Sequence, residues 1–218
     1  MVELTVGAGV ARGLLKFAVA KGADAAALRA RCGLGAADLD DQDRRVSMTS
    51  YIALVRAAKE LSGDAAIALH YGEEVDLSEV SIAGLIMNAS ADMREAFTQM
   101  NRFGRLAVEV ETEAGASRFK HVLENGELWL VDTRADPNAF HELTEVTFAR
   151  QICGLRRFLP RPFALEVHVT HPARRMRRSM PACLGVPSCS MRGGMRCGRT
   201  RRCNPTRWLC SRIMCSAY

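Results

Sequence analysis

The sequence predicts an α+β fold: a helical N-terminal half followed by a small antiparallel sheet made of a β-hairpin, a crossover helix and a strand, then a disordered basic tail. Three observations predict it. Apolar residues recur at helical spacing through residues 8–104, the period changes from 3.6 to 2 near residue 105, and the composition changes abruptly after His171.

In the first helix Val10, Leu14, Phe17 and Ala18 share a face, and Gly22 is placed to end it. Asp24 is the expected N-cap of a second short helix that Gly33 terminates. Ser47 caps a third, in which Tyr51, Leu54, Val55, Ala58 and Leu61 follow i, i+3, i+4 spacing up to Ser62 and Gly63. Asp64 caps a fourth through Tyr71. The nearly all-apolar stretch 80–89 reads as a buried helix, and Ser90 begins the next, with Met93, Phe97 and Met100 on one face and Gly104 at its end.

Leu106, Val108 and Val110 then alternate with Arg105, Glu109 and Glu111, the pattern of a strand with one wet face. Residues 118–123 and 128–133 flank Asn125-Gly126, which between two apolar runs marks a hairpin. Pro137 opens a long helix with Phe148, Ile152, Leu155 and Leu159 on one face until Pro160 stops it. A last strand carries Leu165, Val167 and Val169 inward and Glu166 and His168 outward.

The length of 218 residues allows one buried core and excludes a large multidomain enzyme. No run of eighteen apolar residues is present to span a bilayer, and the N-terminus has no signal-peptide pattern, so the expected location is the cytoplasm. The net charge of +6 hides an asymmetry. The segment 172–218 holds eleven Arg with no Lys, Asp or Glu; the remaining 19 Lys and Arg against 24 Asp and Glu leave residues 1–171 at −5. Six of the eight cysteines (183, 189, 197, 203, 210 and 215) also lie in the tail. Their separations of 6, 8, 6, 7 and 5 contain no Cys-x-x-Cys pair, which argues against zinc. Arg, Cys, Met, Pro and Gly without Lys, Asp or Glu is what GC-rich coding DNA yields out of frame, and the tail is read that way. A nucleic-acid-binding arm that neutralises phosphates is the functional reading of the same arginines.

Sites of chemistry are few. Gly7, Gly9 and Gly13 resemble a phosphate loop, but the third glycine is one place late for a dinucleotide fingerprint and no convincing strand precedes it, so they read as a flexible helix entry. His141-Glu142-Leu143-Thr144-Glu145 starts like a zinc-protease helix, yet Glu145 stands where a second imidazole belongs. No nucleophile elbow occurs, and neither Cys32 nor Cys153 has a Cys-His frame. The chain is expected to be no enzyme, with no metal and no cofactor.

Residues 47–72 (SMTSYIALVRAAKELSGDAAIALHYG) and 82–105 (IAGLIMNASADMREAFTQMNRFGR), the helix 148–160, and the strand ending at Thr170-His171-Pro172 resemble the N-terminal, arabinose-binding-like regulatory domain of AraC-type transcription regulators. The resemblance spans nearly all of residues 5–172. It implies a domain at 1–172 that binds a small-molecule effector and forms a homodimer, with operator DNA bound only by a full-length member that carries two helix-turn-helix units. Residues 173–218 depart from the family: Gly193-Gly194, Pro187 and Pro205 interrupt them and they lack an apolar 3.6 period, so the helix-turn-helix domain is expected to be missing, in a truncated or frameshifted form, and the tail to be dispensable to the fold. The alternative is a free-standing small-molecule-binding protein with a basic nucleic-acid-binding tail. Candidate ligand-binding residues are Arg118, His121 and Trp129 on the hairpin and Phe140, His141 and Arg150 on the helix expected to pack near it. Phe140, Leu143 and Val146, off the Phe148 stripe, are expected to supply an exposed apolar face for self-association.

Overall fold

The computed structural model describes residues 3–112, 116–124, 127–156, 164–169, 185, 188–190 and 207–210. They fall into two compact units, Met1–Glu111 and Thr112–Tyr218.

The first unit begins with β1 (Thr5–Gly7) and α1 (Ala8–Ala20), followed by α2 (Ala25–Cys32), the short α3 (Ala37–Asp40), β2 (Arg45–Ser47), α4 (Met48–Ser62) and α5 (Ile67–Glu74). A 3-10 turn (Leu77–Glu79), α6 (Ile82–Asn88) and α7 (Met93–Ala107) complete it. The expected capping holds for α2 and α4. The Ala27 N–H donates to Asp24 Oδ1 at 2.7 Å and the Ser50 N–H to Ser47 Oγ at 3.0 Å. Gly33 and Gly63 close α2 and α4 in the left-handed region, at φ 66° and 69°. The core is Leu14, Leu28, Tyr51, Leu54, Ile67 and Leu69, all below 2% exposed. Asp64, expected to cap the fourth helix, does not: the N-cap of α5 is Ala66, Asp64 Oδ1 takes the Ala66 N–H at 2.9 Å in the turn before it, and the helix runs past Tyr71 to Glu74.

The glycines at the head of α1 have a packing reason. A Cβ on Gly9 would collide with the Val80 carbonyl, and one on Gly13 with the Tyr71 hydroxyl and the Val80 side chain. Small residues let α1 lie against that backbone.

Three further expectations for this unit need correction. The strand at residues 105–111 is absent: α7 runs through Gly104 to Ala107, because Phe97, Met100 and Ala107 continue one buried helical face. Gly104 costs the helix about 1 kcal/mol and does not stop it. That helix starts at Asp92, not Ser90, in a capping box where Glu95 N–H donates to Asp92 Oδ1 and Glu95 Oε2 accepts from Ala91 N–H. The helix at 80–89 is buried on one side only: Ala83 and Gly84 are covered, whereas Ile82 and Leu85 are 42% and 49% exposed. The pairing of β1 with β2, Val6 opposite Val46, has no counterpart in the sequence reading, because three residues are too few to show a period.

Arg45 ties this unit together. Its guanidinium donates to Thr5 Oγ1 and Thr5 O, both at 2.9 Å, and to the Arg105 and Leu106 carbonyls at the end of α7. Glu109 Oε2 accepts from Thr5 Oγ1 at 2.7 Å, and this hydrogen bond, with the backbone N–H of Thr5 and the charge of Arg45, holds the Glu109 carboxyl below its ordinary range.

In the second unit β3 (Phe119–Glu124) and β4 (Glu127–Asp132) pair antiparallel, with Glu124 opposite Glu127; the two hairpin residues between them lie outside the described ones. Then come α8 (His141–Arg156), β5 (Ala164–Val169), β6 (Ser188–Ser190) and β7 (Arg207–Cys210). The sheet order is β3-β4-β7-β5-β6, with β6 parallel to β5 and the other pairs antiparallel. Composition points to no element after residue 172, yet β6 and β7 belong to that stretch. The apolar run Trp208-Leu209 gives β7 the β-prone residues of a central strand. The remainder of the tail, like Leu159 and Pro160, lies outside the described residues.

Two further differences follow from burial. Pro137 sits in a turn in which Asp136 Oδ1 takes the Asn138 and Ala139 N–H groups, and the helix starts four residues later. His168 is 8% exposed, not outward: its ring lies 4.8 Å from that of Trp129. Trp129, Leu130, Val131 and Asp132 are all buried, so both faces of β4 are covered and alternation stops marking which side is wet.

Candidate functional site

The strongest concentration of polar chemistry among the described residues lies where the ends of β3 and β4 meet α8. Residues 142–149 of that helix are all buried, and Glu142, Thr144, Glu145 and Thr147 are among them. Thr144, Thr147 and the buried Gln151 fall one helical turn apart, giving α8 a polar stripe inside the protein.

Asp132, whose side chain is fully buried, anchors the cluster. Its Oδ2 accepts from Arg134 Nε at 3.0 Å, and Oδ1 accepts from the Arg134 backbone N–H at 3.3 Å. Arg134 then reaches α8: Nη1 donates to the Phe140 carbonyl at 3.1 Å and Nη2 to the Thr144 hydroxyl. Residues two apart on β4 share a face, so strand geometry aims both Asp132 and Leu130 one way and Trp129 the other. The Arg134 guanidinium thus bridges strand and helix with every one of its nitrogens engaged.

Arg118 enters beside this pair. Its Nη2 donates to Thr147 Oγ1 at 3.1 Å and lies 3.7 Å from Asp132 Oδ2, and its guanidinium carbon sits 4.8 Å from the centre of the Phe119 ring. Its buried Nε has no hydrogen-bond partner. Burial pushes this guanidinium down to about 10; Asp132 works against the shift, and the charges of Arg134 and Arg150 add to it. Two positive neighbours and one negative one surround Arg118.

Of the six residues picked from the sequence, Arg118, Arg150 and the backbone of Phe140 gather at this cluster. His121 is exposed on β3 opposite Leu130, and partial desolvation lowers its imidazole from the ordinary value. Trp129 packs with Val131, Val122 and His168 on the other face. His141 heads α8 about a third exposed, with Nδ1 3.5 Å from Glu142 Oε2 and Nε2 4.0 Å from Glu145 Oε1. Asp132, Arg134, Thr144 and Thr147 were not among the six. Their signal was present: polar residues stand at positions where the apolar phase of a strand and a helix calls for burial.

Phe140, Leu143 and Val146 are 6%, 4% and 4% exposed, so the second face of α8 is already covered within the chain and offers no apolar surface for self-association. Among the described residues no group of three or more His, Cys, Asp or Glu is placed to hold a metal ion, and no helix is long and apolar enough to cross a membrane. Cys32 is buried, and desolvation raises its thiol, the reverse of what a nucleophile needs.

The family described as the arabinose-binding domain of AraC transcription regulators, N-terminal, matches residues 22–190. The chain belongs to this family. The match takes in α2 through β6, and so includes the helical unit after α1 and the Arg118–Asp132–Arg134 cluster. The AraC-type domain is a non-enzymatic regulatory domain that takes a small-molecule effector. No curated protein matches the chain.

Proposed function

We propose that residues 1–172 form the effector-sensing and dimerisation portion of a cytoplasmic AraC-type transcription regulator, with the effector bound by the second unit. Family membership supports the regulatory role, and the buried Arg118–Asp132–Arg134 cluster on α8 is the observation that carries the location. Buried charges are costly to a fold and persist where specificity needs them, and here three of the six candidate residues meet. The effector contacts are Arg118 and Arg150, while His121, Trp129 and His141 lie outside this cluster. Self-association rests on the resemblance alone.

A metabolite panel followed by thermal shift on the full chain tests the reading, because a ligand at 100 times its Kd adds about 2.7 kcal/mol of apparent stability. The expected result is a saturable rise in the melting temperature with at least one small polar metabolite. Sedimentation at tens of micromolar, with and without that metabolite, reads the dimer. A protein that stays monomeric and responds to nothing in the panel is not a sensor.

A further inference from the structure

We propose that the outer edge of β3 pairs antiparallel with β3 of a second copy of this chain, in a register that sets Lys120 of each copy opposite Glu124 of the other. This rests on the dimerisation reading and names the surface that carries it.

β3 stands at one end of the sheet order β3-β4-β7-β5-β6, and among the described residues no strand lies on its outer side. It pairs with β4 in unbroken register, from Phe119 opposite Asp132 to Glu124 opposite Glu127. Its sequence, Phe-Lys-His-Val-Leu-Glu, holds neither proline nor glycine, and it carries no bulge, so two of the usual guards against edge-to-edge joining are absent from it. Lys120, His121 and Leu123 are exposed, and Leu123, at 72%, is the most exposed of the large apolar residues described. A straight strand edge with an apolar side chain in water is the template that strand addition uses.

Backbone direction and charge together select the second copy and its register. The Thr133 N–H donates to the Arg118 carbonyl at 2.8 Å, so by the alternation of an antiparallel ladder the peptide groups of Lys120, Val122 and Glu124 turn toward β4. Those of Phe119, His121 and Leu123 turn to the outer edge. A second β3 must therefore set odd-numbered residues opposite odd-numbered ones, and only two such registers overlap most of the strand. Centred on His121, the pairing leaves Lys120 opposite Val122. Centred on Val122, it sets Lys120 opposite Glu124 on both sides of the two-fold axis, at positions where the ladder has no hydrogen bonds and side chains come closest. His121 and Leu123 then exchange backbone hydrogen bonds across the axis, and Leu123 is covered. Glu124 already faces Glu127 within the hairpin, a like-charge pair that the incoming lysine relieves. The arrangement is self-complementary and closes at two copies.

The test is sedimentation equilibrium of the full chain across the micromolar range, with a reductant present so that thiols do not cross-link copies. A monomer–dimer equilibrium is expected, with the His121 and Leu123 amides gaining protection from hydrogen exchange as the dimer forms. Lys120→Glu and Glu124→Lys each set like charges opposite and should weaken the dimer about tenfold. An equimolar mixture of the two variants should recover it, because each chain then meets its opposite, and recovery also shows that both fold. Lys16→Glu, exposed on α1 in the first unit, makes the same change of charge and should leave the Kd as it is. Should circular dichroism show either charge variant unfolded, Leu123→Ser takes its place and should weaken the dimer in the same direction. The proposal is overturned if the chain stays monomeric throughout, if it grows past the dimer, or if the folded variants associate like the parent. In the last case self-association stands and lies on another surface; a monomer that still responds to a metabolite leaves effector sensing standing.

Discussion

The two units of this chain are held together by different means. The first is closed by apolar helices whose ends are fixed by neighbours in sequence: Asp24, Ser47 and Asp92 cap the helices they precede, and Leu14, Tyr51 and Leu54 fill the space between them. The second depends on partners far apart. Arg118 meets Thr147 on a helix 29 residues away, and β4 and β5 are joined through a strand from residues 207–210. Local chemistry can be read from a sequence one turn at a time. Long-range pairing cannot, and it is also where removing one partner should be felt most.

The largest effect should come from ending the chain at residue 172. That removes β6 and β7, and with β7 the only described strand between β4 and β5. An opened β4 edge loses the antiparallel pairing that now sets residues 128–131 opposite Cys210, Leu209, Trp208 and Arg207. Hydrogen exchange read by mass spectrometry should show β4 amides losing protection in the shortened chain, while α1 and α4 amides keep theirs. Composition alone leads to the opposite expectation, a tail the fold does not miss, and unchanged protection in β4 would favour it.

Next in size is the buried pair. The side chains of Asp132 and Arg134 are 0% and 5% exposed, and Asp132→Ala leaves two arginines uncompensated inside the protein, at a cost of about 3–5 kcal/mol. The matching change in the first unit is Glu60→Ala, which breaks the surface pair with Arg31, where the side chains are 68% and 49% exposed; its cost should stay below about 0.5 kcal/mol. Urea unfolding of both variants measures the contrast. Equal losses would mean that the charged cluster contributes little to the second unit.

How much of this was legible follows the same division. The caps at Asp24 and Ser47, the glycine ends at Gly33 and Gly63, and the Phe148 and Ile152 stripe of α8 were all readable, because each is a signal within one or two turns. The strand expected at 105–111 is absent because alternation over seven residues also fits a helix end whose polar side faces water, and Gly104 lies inside α7 and does not stop it. Arg118 and Arg150 stand on elements that the sequence expects to pack together, and the fold brings the two near each other. Asp132 and Arg134 carry a local signal, polar residues in a phase that calls for burial, but what they meet is set by the distant helix that covers them. The place of β7 was illegible: no local pattern states which distant edge a four-residue strand will join.

The smallest effect separates two glycines that the sequence makes look alike, both within apolar helices of the first unit. At Gly84 a Cβ would run into the backbone of Leu77 and Ser78, neither of which can yield as a side-chain tip does, so Gly84→Ala should destabilise by about 1–3 kcal/mol. At Gly104 a Cβ meets nothing within 4 Å, and the residue lies inside α7. There alanine removes backbone freedom from the unfolded chain without strain in the folded one, and Gly104→Ala should stabilise by about 0.5–1 kcal/mol. Opposite signs in thermal unfolding would confirm that one glycine is required by close packing and the other only tolerated. A destabilised Gly104→Ala would mean that α7 does not continue through residue 104, and would restore the reading in which the helix stops there and a strand begins.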